Sequence, residues 1–163
     1  MLRIHGHPRS RAFRCIWAAE EAGLPYEVVP VAFGPGMAEA VRKVNPNGKV
    51  PALEDGALTL FESLAINLHI AHRAGAPLMP TGEDASRSLQ WTLWAATEAE
   101  PAAMQWAYNT YILAAEKRDA AQAAAGAAAL AARLAVLEAH LASGGPWLLG
   151  AAYGIADCNL AGV

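Results

Sequence analysis

The chain has 163 residues, 55% of them hydrophobic and 17% charged, which supports a globular core and excludes intrinsic disorder. A net charge of −3, with 12 basic residues and no long basic run, makes no electrostatic case for nucleic acid or an anionic membrane as partner. Cys15 and Cys158 stand far apart and form no disulfide framework, CxxC pair or zinc spacing. The opening Met1-Leu2-Arg3-Ile4-His5-Gly6 lacks the apolar core of a signal peptide, and no stretch reads as a membrane span, so the expected location is cytoplasmic.

The first part alternates strand and helix patterns, the mark of an α/β layer. Leu2 and Ile4 indicate a first strand. A helix is expected from about Ser10 to Ala22, with Phe13, Ile16 and Trp17 on one face and Gly23 as its stop. Tyr26 to Val31 reads as a second strand. The turn Gly34-Pro35-Gly36 leads to a short helix through Ala38 to Val44, and Val50 to Glu54 is extended. Asp55-Gly56 is a hairpin turn into Ala57 to Leu60, and another helix opens near Glu62.

Gly and Pro positions between Ala74 and Glu83 mark a linker, and everything after it reads as helix. Leu89, Leu93, Trp91 and Trp94 lie on a long helix that Pro101 should kink. Leu130, Leu134, Leu137 and Leu141 form a 4-3-4 stripe on the next, so the pair reads as an αα-hairpin, and the alanine-rich run 120–132 within it reads as soluble helix. Gly144-Gly145-Pro146 ends that helix. A last one starts near Gly154 and stops inside an apolar pattern with no C-terminal signal, so the helical part is expected to be incomplete at its C-terminus.

Chemistry concentrates in one block, Asn45-Pro46-Asn47-Gly48-Lys49-Val50-Pro51-Ala52-Leu53-Glu54-Asp55-Gly56, followed by Leu60-Phe61-Glu62-Ser63-Leu64-Ala65-Ile66. Val50-Pro51 can form a cis peptide that leaves the Val50 backbone free to pair with an extended peptide. Glu62-Ser63 open a helix whose N-terminal amides suit a carboxylate. With Gly6 to Arg14 at the first strand-to-helix turn, and Trp147-Leu148-Leu149-Gly150 ahead of Tyr153-Gly154-Ile155-Ala156-Asp157, this block resembles the glutathione transferases over the whole chain. The resemblance implies a thioredoxin-like α/β domain at 1–74, a linker at 75–84 and an all-α helical domain at 85–163.

In that family the tripeptide's thiol must become a thiolate near neutral pH, whereas a free thiol has a pKa of about 8.5. The resemblance implies that Ser10 stabilises the anion with a hydrogen bond, since His5 stands where a tyrosine-type enzyme has its Tyr and Cys15 lies a turn too late for a cysteine type. It likewise implies that Val50 and Pro51 face the cysteinyl unit, that Glu62 and Ser63 hold the γ-glutamyl end, and that Lys49 neighbours the glycyl carboxylate. Arg14 would help electrostatically. Trp106, Tyr108 and Tyr111 would wall a pocket for a hydrophobic electrophile. Reduced glutathione is the expected co-substrate and a homodimer the expected assembly.

Each of these residues also has an ordinary reading. Ser10 alone is a helix N-cap, Glu62 and Ser63 counter a helix dipole, Pro51 is an edge-strand proline, and Lys49 and Arg14 are surface charge. His5 and His7 share a strand face, but no carboxylate or cysteine partner accompanies them, so no metal is assigned. The cysteines and tryptophans read as core, and Asp157 as a structural carboxylate at a helix start. Two rival functions stay open: a non-catalytic glutathione-transferase-like binding or scaffold protein, and a glutathione-dependent isomerase, peroxidase or dehalogenase.

Overall fold

A computed structural model describes residues 1–163. Strand β1 (Leu2–Gly6) pairs in parallel with β2 (Tyr26–Pro30) and antiparallel with β3 (Ala52–Asp55), placing Ile4 between Val28 and Leu53. Strand β4 (Leu58–Phe61) closes the order β2-β1-β3-β4. The parallel pair needs a crossover, which α1 (Ala12–Glu21) supplies, whereas β3 and β4 need only a tight turn, with Gly56 at φ 62. Helix α2 (Met37–Val41) is one turn long, and α3 (Ser63–Ala74) packs beside α1.

Leu2 and Ile4, Leu53, and Ile66 and Ile70 are buried together beneath α1. The face α1 buries differs from the one expected: Ala12, Cys15, Ala18 and Ala19 point inward, Ile16 and Trp17 sit at the rim, and Phe13 is 47% exposed. Small side chains let α1 lie close to the sheet and α3, and a bulky face would hold it off. The other element ends shift from expectation by no more than about three residues, as frayed termini do.

The helical half opens with α4 (Gly82–Trp94). The interruption expected at Pro101 is a π-turn over Ala95–Ala99, where the Glu100 N–H reaches back to the Ala95 carbonyl before α5 (Glu100–Ala107) resumes. Pro101 then sits in the first turn, where its missing N–H costs nothing. A second π-turn, Tyr108–Ile112, ends the segment.

Helix α6 (Ala120–Gly144) starts at Asp119, whose side chain accepts the Ala121 and Gln122 N–H groups. It is antiparallel to α5 as the hairpin requires, and Gly126 is its only buried residue. With 25 residues and a mean hydropathy of 1.5 in its most apolar stretch, α6 is long and apolar enough to cross a membrane, which corrects the statement that no stretch is. Alanine supplies most of that apolarity, and Arg133 on the same helix pairs with Glu98 across the hairpin.

Helix α7 (Ile155–Ala161) is the hub, with Ile155, Ala156, Asp157, Cys158 and Asn159 all buried. Gly154 has no side chain to cap it, and half a capping box remains: Asp157 Oδ2 accepts the Gly154 N–H at 2.9 Å, and Oδ1 accepts the Leu148 N–H at 2.8 Å. The segment joining α3 to α4 is more than a tether, because Leu78 is 5% exposed in the same core and its carbonyl accepts the Ile155 N–H at 2.9 Å. One core therefore runs through both halves.

Candidate functional site

Three segments converge where β1 ends. At Gly6, φ is 154, and a Cβ there would stand 2.4 Å from Ala12 Cβ, so only glycine lets α1 start this close to the strand. The same point is 3.6 Å from Ser10 Oγ and 3.6 Å from Val50 Cβ. Gly6 thus makes Ser10 and Val50 neighbours although forty residues separate them in sequence.

Ser10 lies just ahead of α1. Its Oγ accepts the Ala12 N–H at 3.1 Å and donates to the His7 carbonyl at 2.7 Å. That carbonyl also receives the Ser10 N–H at 2.8 Å, so the hydroxyl can turn away without leaving it unpaired. Both the N-cap and the ligand-facing reading of Ser10 are therefore available to one residue. His7 continues past the strand, accepts the Arg9 N–H on Nδ1 at 3.0 Å, and packs its ring 5.5 Å from Phe33. His5 points instead to Glu54, with Nε2 2.6 Å from its carboxylate, so the two histidines do not meet.

The Val50–Pro51 peptide is cis, and the Val50 N–H and carbonyl make no hydrogen bond within the chain. A buried side chain holds this loop: Asn45 donates through Nδ2 to the Lys49 carbonyl at 2.7 Å and accepts the Asn47 N–H at 3.0 Å. Gly48, at φ 64, brings the loop against α2, where a Cβ would stand 2.8 Å from Ala38 Cβ. Lys49 itself is exposed.

Glu62 is the only non-glycine residue with positive φ (71, with ψ 112), and its side chain is exposed ahead of α3. Such a conformation costs about 1–3 kcal/mol and persists only where the surrounding structure holds it. Ser63 behind it is buried and accepts from Arg14 at 3.3 Å. Arg14 is no surface charge: its side chain is 5% exposed, Nε donates to the Gly162 carbonyl at 2.8 Å, and the guanidinium pairs with Glu100 at 3.2 Å. Arg11 also pairs with Glu100, on the other carboxylate oxygen. Burial alone would raise the Glu100 carboxyl, but the hydrogen bond and charge of Arg14, with Arg11, hold it below the ordinary glutamate range. Arg11, Arg14, Glu62, Ser63, Thr92 and Glu100 line a cleft of about 480 Å³ at the seam between the halves.

Residues 2–72 match the family model of the glutathione S-transferase N-terminal domain, and residues 99–163 that of the C-terminal domain. The chain belongs to the glutathione S-transferase family. Among the relatives of this transferase, glutathione S-transferase 3 of Zea mays is 34% identical over 97% of this chain and 74% of its own length. A glutathione S-transferase of Silene vulgaris is 43% identical over 44% of this chain and 34% of its own length. The crystal structure of a theta class glutathione S-transferase from Xanthomonas axonopodis pv. citri with glutathione bound superposes with a TM-score of 0.88 at 32% identity, covering 98% of this chain and 78% of that one. Glutathione S-transferase I from maize, in complex with an atrazine glutathione conjugate, gives 0.89 at 30% identity, covering 99% and 78%. Membership sets the enzyme class, a transferase that uses glutathione, and the thioredoxin-like and helical domains of the fold.

Within this transferase two of the three aromatic candidates stay together: the rings of Trp106 and Tyr111 meet edge to face with centroids 5.7 Å apart. Trp106 borders an apolar groove of about 490 Å³ between α5, α6 and α7, which the leucine stripe of α6 also lines. Tyr108 and Tyr111 are exposed. Tyr108 follows Glu100 and Met104 at four-residue intervals, and so lies about 12 Å along the stripe that Glu100 turns toward Arg11 and Arg14. The sequence reading missed Gly6, Asn45, Gly48 and Glu100. The Asn45-Pro46-Asn47-Gly48 run signals a turn, but nothing local shows what Gly6 and Gly48 must avoid or what Glu100 meets.

Cys15 and Cys158 are free buried thiols. Burial raises both, Cys158 to about 11, so neither offers a thiolate near neutral pH.

Proposed function

We propose that this chain conjugates reduced glutathione to electrophilic small molecules, with Ser10 as the residue that stabilises the thiolate. The observation that carries the reading is the juxtaposition of the Ser10 hydroxyl and the unpaired Val50 backbone across Gly6. A cysteinyl residue paired with Val50 would bring its sulfur to Ser10. The hydroxyl turns from the His7 carbonyl and donates to sulfur, while the Ala12 N–H keeps its own bond to Oγ and polarises it. Each unit by which the thiol pKa falls requires about 1.4 kcal/mol of preferential stabilisation of the anion. The thiolate then attacks an electrophilic carbon, forming the C–S bond as the leaving group departs with its electron pair, or as the electrons move onto an acceptor carbon that takes up a proton.

Glu62 and Ser63 receive the γ-glutamyl end. Arg14 donates to Ser63 Oγ, so the Ser63 proton is free to point at a carboxylate, and the buried guanidinium adds positive charge behind it. Lys49, exposed beside the Val50 loop, faces the glycyl carboxylate. Phe33 and His7, with Tyr108 of the helical half, are the walls offered to a hydrophobic electrophile, while Trp106, with Tyr111 packed on it, borders the groove between α5 and α6. Exposed Phe61 on edge strand β4, and exposed Leu89 and Leu93 on α4, are apolar surface offered to a second copy in a homodimer. Two unpaired cysteines suit the reducing cytoplasm.

Replacement of Ser10 tests the mechanism. Ser10→Ala is expected to raise the pKa of bound glutathione by about 1–2 units with less than about a twofold change in affinity, read from thiolate absorbance against pH and from calorimetry. A titration curve that coincides with wild type removes Ser10 from the mechanism.

A further inference from the structure

We propose that Asn159 is a positioning residue for the glutathione site, acting from the helical half through Asn67 on α3. The inference rests on the reading of Glu62 and Ser63 as the γ-glutamyl subsite. Asn67 and Asn159 are both fully buried. Asn67 Nδ2 donates to Asn159 Oδ1 at 2.8 Å, and Asn159 Nδ2 donates to Thr92 Oγ1 at 3.1 Å. One line of donors thus runs from α3 through α7 to α4. Asn67 Oδ1 has no partner in the chain, so the bond to Asn159 is the only one that side chain makes.

Burying amides in an apolar junction is unfavourable unless they are paired, and leucines would fill similar space without that cost. What the pair adds is direction: it fixes the rotation and axial position of α3 against α7, where apolar packing alone would tolerate a slide. Asn67 is one helical turn after Ser63 and on the same face. The other tie runs in parallel, since Arg14 donates both to Ser63 Oγ and to the Gly162 carbonyl that follows α7. Helix α7 and the residue that follows it therefore reach α3 at two successive turns, through Arg14 at Ser63 and through Asn159 at Asn67.

The residue this double tie protects is Glu62. A strained φ of 71 persists only where the surroundings over-determine it, and the turn immediately after it is the one α7 holds. Loss of the Asn67–Asn159 bond lets the first turn of α3 rotate, which relaxes Glu62 and moves the Ser63 hydroxyl from the line on which it meets a carboxylate. Ser10 belongs to another segment and keeps its geometry. The signature is therefore a defect in glutathione binding with the thiolate chemistry intact.

The experiment compares wild type with Asn159→Leu, Asn159→Ala and the double variant Asn67→Ala/Asn159→Ala as full chains, at temperatures below their melting transitions. Calorimetry with reduced glutathione gives Kd, and turnover of chlorodinitrobenzene gives KM for glutathione and kcat. Both single variants are expected to raise Kd and KM by about threefold to tenfold, leave kcat at saturating glutathione within about twofold, and leave the thiolate titration in place. The double variant should bind no more weakly than Asn159→Ala, since both changes cut one path. Asn159→Leu keeps the volume and the core, and Asn159→Ala serves if it fails to fold. A folded variant that binds glutathione like wild type overturns the proposal, as does a loss that falls on kcat while KM holds. If wild type itself fails to bind glutathione, the subsite reading falls and this proposal with it, whereas normal wild-type binding with an indifferent Asn159→Leu removes Asn159 alone.

Discussion

Glu62 holds φ 71 and ψ 112, a conformation that costs a residue with a Cβ more than it costs glycine, and it belongs to the γ-glutamyl subsite proposed above. Relief of about 1–3 kcal/mol of strain competes with the extra freedom glycine has in the unfolded chain, about 0.5–1 kcal/mol. Glu62→Gly is therefore expected to be more stable than wild type by up to about 2 kcal/mol while binding glutathione at least about tenfold more weakly. Urea unfolding and calorimetry measure the two sides, and a lower unfolding midpoint would show that the site stores no strain. Residues of this kind divide sharply in how readable they are. Ser10, Val50, Pro51, Glu62 and Ser63, the residues of the proposed site, stand in recognisable runs because turns, caps and cis-proline signals are local. Gly6 and Gly48 do not, because each is set by a collision with a residue elsewhere, Ala12 in one case and Ala38 in the other.

The elements themselves were largely legible, since hydrophobic period and turn chemistry are local properties. Their faces were less so. Helix α1 carries large apolar residues on one side and small ones on another, and close approach selects the small side. Helix α6 is so rich in alanine that periodicity has little contrast, and its contact with α5 is set by Gly126, where a Cβ would stand 2.5 Å from the Trp106 backbone nitrogen. Alanine there gains about 1 kcal/mol of helix propensity and loses about 2–3 kcal/mol, the upper part of the overpacking range, because the contact is with backbone that cannot rotate away. Gly126→Ala is expected to lower stability by about 1–2 kcal/mol, seen as a fall in Tm. An unchanged or higher Tm would mean that the hairpin adapts at no cost.

At the scale of the molecule, the halves are joined by one core and by a charge cluster in which Arg11 and Arg14 of α1 meet Glu100 of α5. The Glu100 pKa is depressed in the folded chain, so its contribution to stability is present above the ordinary glutamate value of about 4.5 and is lost as pH falls through the lower folded value. Glu100→Gln should therefore be less stable than wild type at pH 7, with the difference shrinking as pH falls below about 4.5. Denaturant midpoints across that range measure it, and a pH-independent gap would assign the effect to packing. Breaking the cluster also removes one partner of Arg14, whose guanidinium bonds Ser63 as well as Glu100, so the same variant links the docking of the halves to the start of α3.

What the amino-acid sequence determined by itself is whatever depends on neighbours along the chain: the βαβ, α, ββα order, the Asp55-Gly56 turn, and the helix start after Glu62. Propensity, periodicity and turn geometry act over a few residues, so one strand of text contains them. Tertiary structure decided the rest. It turned Arg14 from surface charge into a buried bridge, packed Tyr111 against Trp106, and placed Asn159 against Asn67 across 92 residues. These outcomes depend on distances between segments that only the packed core sets, and close packing leaves each contact little freedom to be otherwise.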